Sequence, residues 1–289
     1  MRIGCVIVNY NTSSQVLELS ETLSHYEIVK KIVIIDNNSS EADKVLLLQT
    51  NNPKIVILEQ DSNVGYGKGN NLGIKYLNSI NINYALICNP DTFISNSSIC
   101  NCLKQFDKDD AAICVAPIAI DINKVPYESS WGIPSISQYT FSLCFFLGKK
   151  YRIPKNKINY DKNIRVECIS GALLLVDVSK FLSLGGFDEN IFLYCEETSL
   201  GIDSKKAGFS MYIICDNFYS HNHVYSNSSL KQELKQLKMT LKSRRYVLRK
   251  KMHASFFWML IFHTMKFFIY LETILIHFLK MIRRIIKNK

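Results

Sequence analysis

The sequence predicts an α/β domain with a mixed, mainly parallel sheet flanked by helices, followed by an amphipathic helical tail. Three observations predict it. Short apolar, β-branched runs alternate with segments of helical spacing, as strands joined through helices do. A glycine-rich stretch, GKGNNLG, opens one of the helical segments. The strand-like runs stop in polar clusters, NYNTSS, DNNSS and NPDT. Those clusters fall at the carboxyl ends of the strands, where ligands bind in such sheets.

The elements follow in order. IGCVIVNYN (3–11) reads as a buried strand, and SSQVLELSETLSHY (13–26) has helical spacing of its apolar residues. KIVIIDNNSS (31–40) is a second strand and KIVILEQ (54–60) a third. GKGNNLGIKYLNSI (67–80) is a loop entering a helix, and YALICNPDT (84–92) a fourth strand. From Ala111 to Lys162 the pattern loosens, with SSWGIPSIS as a loop and FSLCFFLG as a short apolar segment. VECISGALLLV (166–176) reads as one strand, then come a Lys- and Ser-rich helix, GGFDENIFLYCEE, and a last strand SMYIICD (210–216). No internal repeat is visible.

Composition narrows the class. With 289 residues, 47% of them hydrophobic, the chain can bury a sizeable core. Nine scattered cysteines, with no C-x-x-C, suit a reducing cytoplasm. The opening MRIGCVIVNYN does not read as a signal peptide. The net charge of +10 is localised: fifteen basic and two acidic residues lie between Leu230 and Lys289, and the remainder is slightly acidic. That body does not suit nucleic acid. Domains of 1–228 and 229–289 follow.

The tail, from about Ser229, starts as a basic helix. In its continuation His263, Lys266, Tyr270, Thr273, His277, Lys280 and Arg284 recur at intervals of three or four, marking one helical face. The other faces are Phe, Leu, Ile, Met and Trp, and Glu272 breaks the pattern. A helix lying on an anionic membrane surface is the expectation. A spanning helix needs about 20 apolar residues, and Lys266 and Glu272 interrupt this one. Packing on the body or on a second copy, giving a homo-oligomer, is the other alternative.

Several residues could carry chemistry. Asp36, at a strand end, suits either a helix cap or a ligand. NVGYGKGNNLG (63–73) fits neither the G-x-G-x-x-G dinucleotide pattern nor the phosphate-loop pattern ending in Lys-Ser/Thr. It suits either close backbone approach to a ligand or a tight turn before a helix. Asp91, behind Pro90, is placed to hold Mg²⁺ or Mn²⁺ while a diphosphate fills other positions. Glu196 and Glu197 suit either catalysis or the acidic first turn of a helix. Trp131 suits either an acceptor contact or the core.

In this order and spacing, VIVNYN, IDNNSS, NVGYGKGNNLGI, NPDT, SGALLLV and GGFDENIFLYCEETSLGIDSKKAGF resemble the family 2 glycosyltransferases of the GT-A fold. The likeness covers about residues 2–228 and is greatest to rhamnosyltransferase-type members that build bacterial surface polysaccharides such as O-antigen and capsule. The resemblance implies an inverting transfer from a nucleotide-diphosphate sugar, a dTDP- or UDP-sugar, to a lipid-linked glycan at the cytoplasmic face of the bacterial inner membrane. It implies that Asp36 contacts the base and that Asn9 and Asn11 line the nucleotide pocket. Asn63, Gly65, Asn70, Asn89 and Gly171, within the same motifs, are further substrate-side candidates. Asn89 and Asp91 stand in the first and last positions of the metal motif. The base falls on Glu197, where an Asp is usual, with Glu196 as the alternative. Ser199 replaces a second Asp. A histidine after the last strand, His223 or alternatively His221, would complete a metal shell. Two other readings share the layout: a nucleotidyltransferase, which normally opens with a glycine-rich G-G-x-G-x-R that NYNTSSQ lacks, and a noncatalytic partner subunit.

Overall fold

The computed structural model describes residues 2–222 and 229–287, without the side chains of 283–287. It divides into two compact units. The first comprises the described part of 1–133, 155–192 and 196–223, and the second that of 134–154, 193–195 and 224–289.

The first unit begins as a regular strand–helix alternation: β1 (Ile3–Asn9), α1 (Ser13–Ser24), β2 (Val29–Asp36), α2 (Glu41–Leu47), β3 (Ile55–Glu59), α3 (Tyr66–Ser79) and β4 (Tyr84–Cys88). There follow β5 (Thr92–Ile94), α4 (Asn96–Lys108), β6 (Ala112–Ile120), β7 (Pro126–Tyr127) and β8 (Ser130–Trp131). The second unit contributes α5 (Ile136–Phe141) and α6 (Phe145–Gly148). The first resumes with β9 (Ile164–Val166), β10 (Cys168–Ile169), β11 (Leu173–Asp177), α7 (Val178–Ser183), α8 (Glu196–Lys206) and β12 (Ser210–His221).

The main sheet runs β3-β2-β1-β4-β11-β6-β12-β5. Its first four strands are parallel neighbours; β11 runs antiparallel to both β4 and β6, and β12 runs parallel to β6. β1 shows why such strands read as unbroken apolar runs. Ile3, Cys5 and Ile7 enter the core on one face, beneath α1 and α4, while Val6 enters the other, beneath α3 and α7.

Three expectations needed correction. The loosened region contains the nine-residue β6, buried along almost its whole length. Pro117 lies within it, and a proline cannot donate to a ladder. The partner strand accommodates this: Ile214 pairs with Pro117 and Phe218 with Ile118, so three residues of β12 bulge out between them. The Cys215 N–H in that bulge donates to Asn163 Oδ1 at 3.0 Å. The expected strand 166–176 is three short ones, because the chain leaves the sheet to pair Cys168–Ile169 with β8. That same pairing makes a strand of Ser130–Trp131, where a loop was expected.

The second unit also holds α9 (Leu230–Tyr246), a π-helical turn (Val247–Lys251) and α10 (Phe256–Lys287). Ser229 and Gln232 cap α9 reciprocally. Phe256–Ile282 is long and apolar enough to cross a membrane by length and composition, with a mean hydropathy of 1.6. Phe262 and Ile269 are buried, whereas most of its other large apolar side chains are exposed. The expected polar face is partly engaged inside the unit: His277 Nδ1 lies 3.1 Å from Glu233 of α9.

Helix α3 lies unusually close to β1. A Cβ on Gly73 would come within 2.4 Å of the Val6 side chain, and one on Gly67 within 2.9 Å of Phe187. Overpacking such a contact forces strain on the core. Gly73→Val is expected to lower the unfolding free energy by about 1–3 kcal/mol, read as an earlier midpoint in urea at unchanged slope.

Candidate active site

The loops at the carboxyl ends of β1 and β2 are knitted by one buried amide. Asn9 Nδ2 lies within donating distance of Asp36 Oδ1 (2.9 Å), Ser39 Oγ (3.0 Å), Ser13 Oγ (3.0 Å) and Asp43 Oδ2 (2.9 Å). Its Oδ1 accepts from the Thr12 N–H and hydroxyl. Asn9 and Asp36 have no solvent exposure, whereas Asn11 is exposed and left-handed, at φ 59°. Asn11 Oδ1 accepts from the Ser40 N–H at 2.8 Å. Asp43, which the sequence reading did not single out, belongs to the same network. Burial pushes its carboxyl up, but hydrogen bonds from Ser13, Asn9 and Ser39 outweigh this and hold it below the ordinary range.

The glycine-rich turn comes next. Asn63 Oδ1 accepts from the Gly65 N–H at 2.9 Å, and Gly65 takes φ 86°. A side chain there would strike the Phe192 carbonyl at 2.2 Å. The Tyr66 N–H instead donates to that carbonyl at 3.1 Å. The glycines thus serve close packing between segments. Asn70 is buried; its Nδ2 donates to the Tyr66 carbonyl and its Oδ1 has no hydrogen-bond partner among the described residues. Beside it, Asn71 makes a two-way clasp: Nδ2 donates to the Phe187 carbonyl at 2.8 Å and Oδ1 accepts from the Phe187 N–H at 2.9 Å.

Pairing of β11 with β4 brings two further motifs together. The Asn89 N–H donates to the Ala172 carbonyl at 2.8 Å, next to Gly171. The Gly171 N–H donates to Glu197 Oε1 at 3.1 Å, and the Tyr66 hydroxyl donates to the Gly171 carbonyl. Tyr66 is held by Phe187, ring centroids 5.5 Å apart. Adjacent helical residues diverge by about 100°, and the two glutamates separate accordingly. Glu197 turns to Gly171. Glu196 turns to α3, is 2% exposed, and its Oε1 has no hydrogen-bond partner among the described residues. Burial, with the Glu197 charge second, pushes the Glu196 carboxyl up to about 8. Burial also raises Glu197, against the opposing pull of its own and the Gly171 N–H groups. The helix bearing them is fixed along its length. A side chain on Gly201 would meet the Glu167 carbonyl at 2.4 Å, and Lys205 pairs with Glu167. Ser199 is fully buried, and Trp131 Nε1 lies 3.4 Å from the Thr198 hydroxyl.

At the edge of the sheet, β5 pairs with β12 so that Thr92 faces His221. This sets His221 Nε2 3.4 Å from Asp91 Oδ1, with Tyr127 Oη 3.1 Å from His221 Nδ1. The Asn222 N–H donates to the Asp91 carbonyl at 2.9 Å. His223 lies outside the described residues. No cluster of three His, Cys, Asp or Glu side chains with metal-ligand spacing occurs among the described residues. Among the described residues Asp91 and His221 offer one carboxylate and one imidazole, a partial donor set of which the carboxylate suits Mg²⁺ or Mn²⁺.

Tyr66, Asn71, Asp43 and Tyr127 are the site residues missed in the sequence. The first two lie inside the quoted glycine-rich motif, where polar and aromatic residues between glycines were the available signal.

Likeness to known proteins bears on the family and the fold. Residues 5–181 match the Glycosyl transferase family 2 domain. Rhamnosyltransferase WbbL of Escherichia coli K12 is 27% identical over 86% of this chain and 94% of its own length. N-acetylglucosaminyl-diphospho-decaprenol L-rhamnosyltransferase of Mycobacterium tuberculosis is 26% identical over 63% of each chain. Among solved structures, GalNAc-T7 with UDP, GalNAc and Mn²⁺ superposes with TM-score 0.58 at 14% identity, over 86% of this chain and 47% of that one. Mannosyltransferase PcManGT of Pyrobaculum calidifontis, with GDP-Man and Mn²⁺, gives 0.57 at 11%, over 92% and 69%. These two likenesses establish the GT-A fold. With the family match spanning more than half of its length, the chain belongs to glycosyl transferase family 2 and is rhamnosyltransferase-like.

Proposed function

We propose that the protein transfers a sugar, with inversion, from a nucleotide-diphosphate sugar to a lipid-linked oligosaccharide at a membrane surface. The observation that carries this is the Glu197 carboxylate at the Gly171 N–H, one residue from the carbonyl that receives Asn89 of the N-P-D turn. In this proposal Glu197 is the proton acceptor and the N-P-D turn faces the diphosphate, so the two bonds support a shared neighbourhood for them. A dTDP- or UDP-linked donor is proposed; the names of the relatives favour rhamnose as the sugar, and the sequence resemblance favours dTDP as its carrier. The name of the mycobacterial relative also motivates a lipid-diphosphate acceptor, and the sequence resemblance motivates a place in O-antigen-type polysaccharide synthesis.

In this reading the loop network of Asn9 and Asp36 forms the floor of the nucleotide pocket, and exposed Asn11 its wall. Asn63, Gly65, Asn70, Asn89 and Gly171 surround the sugar–diphosphate. Asp91 and His221 would hold Mn²⁺ or Mg²⁺, which when bound offsets the negative charge of the departing diphosphate. The acceptor hydroxyl attacks the anomeric carbon from the face opposite the diphosphate. The new glycosidic bond forms as the bond to the diphosphate oxygen breaks, and Glu197 takes the hydroxyl proton. A carboxyl raised toward neutrality is a stronger base than an ordinary one. The exposed apolar side of α10 keeps the chain at the surface where the acceptor's lipid is anchored. The cytoplasmic face of the inner membrane is the proposed location.

Glu197→Gln and Asp91→Ala are each expected to lower kcat by on the order of 10²–10⁴ in a sugar-transfer assay. Wild-type rates in both variants would remove the assignment. A cognate donor at about a hundred times its Kd should add about 2.7 kcal/mol of stability, seen as a rise in Tm that is larger with Mn²⁺. The raised glutamates also make stability pH-dependent. Glu196 binds its proton more tightly in the folded chain, so its contribution is full below the unfolded carboxyl value near 4.5 and is lost as pH climbs toward 8. Glu196→Gln should flatten that decline, gaining at least ~1.4 kcal/mol relative to wild type between pH 5 and 8 in urea titrations.

A further inference from the structure

The second compact unit presents apolar surface in two pieces that are far apart in sequence. One is the outward side of α10, where Phe256, Phe267, Phe268, Leu271, Leu275 and Phe278 are exposed. The other is α6, where Phe145 is 61%, Phe146 74% and Leu147 39% exposed. Glu272 joins them. Its Oε2 accepts from the Phe145 N–H at 2.7 Å, so a carboxylate of α10 caps the first turn of α6. The acid that broke the apolar pattern of the tail thus holds a second apolar element beside it.

The tip is braced from behind. The Gly148 N–H donates to the Cys144 carbonyl at 2.7 Å, and a side chain on Gly148 would come within 2.9 Å of the Ser142 carbonyl. Arg244 of α9 is buried and donates to the Tyr139 carbonyl and the Ser142 hydroxyl, both at 2.8 Å, with its guanidinium 4.8 Å from the Tyr139 ring centroid. Phe141 packs against Tyr151 and Trp258.

The surroundings select the partner. Exposed Lys149, Lys150 and Arg152 follow the tip directly. At the start of α10, Arg245, Arg249 and His263 line a groove of about 450 Å³ together with Phe256, Met259 and Leu260. Aromatic tips collared by cations complement an anionic headgroup layer over hydrocarbon.

We propose that Phe145, Phe146 and Leu147 form a second membrane-inserting element, positioned by Glu272 and seated in the interface of an anionic bilayer. It rests on the membrane-surface reading of the tail, and the test separates the two. Purified full-length protein is floated with vesicles of phosphatidylcholine alone or mixed with phosphatidylglycerol. Wild type should float with the anionic vesicles. Phe145→Ser/Phe146→Ser should weaken partition by on the order of tenfold or more per phenylalanine. Glu272→Ala should weaken it too, whereas Glu272→Gln, which keeps an acceptor oxygen, should bind as wild type does. Trp at position 146 (Phe146→Trp) should add fluorescence that brominated lipid quenches. If wild type floats while the double serine variant partitions equally and the new tryptophan is unquenched, the second element is overturned and tail anchoring stands. If wild type does not float, both fall. If the serine variant only lowers the oligomeric mass in sedimentation equilibrium, the face is a contact between copies and the proposal fails.

Discussion

The clasp between Asn71 and the Phe187 backbone governs how the site is assembled. A primary amide presents a donor and an acceptor in one plane, so it pairs with a peptide unit as a neighbouring strand would. Here both bonds are buried, where losing one partner would leave the other unsatisfied at a cost of about 1–3 kcal/mol. The clasp fastens the GGFDEN loop to α3. Five residues beyond Phe187, the Phe192 carbonyl meets the left-handed turn at Gly65. The helix carrying the two glutamates starts four residues later, so the contacts with α3 help set its origin.

The same segment manages its charge closely. Two carboxylates side by side in a partly dry site repel each other, and burial penalises both. The helix divides them, one against α3 and one toward Gly171, and its first turn receives the favourable end of the backbone dipole. Ser199, where the resemblance leads one to expect another Asp, is completely buried. A third carboxylate there would add a further desolvation penalty to an already crowded helix start. The serine is therefore consistent with a site in which a longer Glu has replaced the shorter Asp and less negative charge is tolerated.

Much of this was legible in the sequence. The first four strands and their polar ends stand where the apolar runs stop, because the runs of β1, β2 and β4 are largely buried. Asn9, Asp36, Asn89, Gly171 and Glu197 were all marked by motif, and the structure brings Asn89, Gly171 and Glu197 into one neighbourhood. What was hidden depends on pairing across the chain. β6 reads poorly because it is rich in alanine and contains Pro117, and only the bulge in β12 makes that proline tolerable. The run 166–176 looks like one strand, yet its middle pairs with Ser130–Trp131, thirty-odd residues earlier. Glu272 looks out of place on a helical projection because its partner, the Phe145 N–H, is over a hundred positions away.

Gly201 has a consequence for how the site meets its substrates. The helix bearing Glu197 lies flush against the strand segment behind it, with no room for even a methyl group. It cannot shift toward that segment without a clash with its backbone. In the proposed transfer the acceptor hydroxyl would come to the Glu197 carboxylate, whose side-chain torsions would adjust the final separation. Such rigidity spares the site much of the reorganisation that a mobile base would need at each turnover. In that proposal acceptor choice would fall to the surrounding loops.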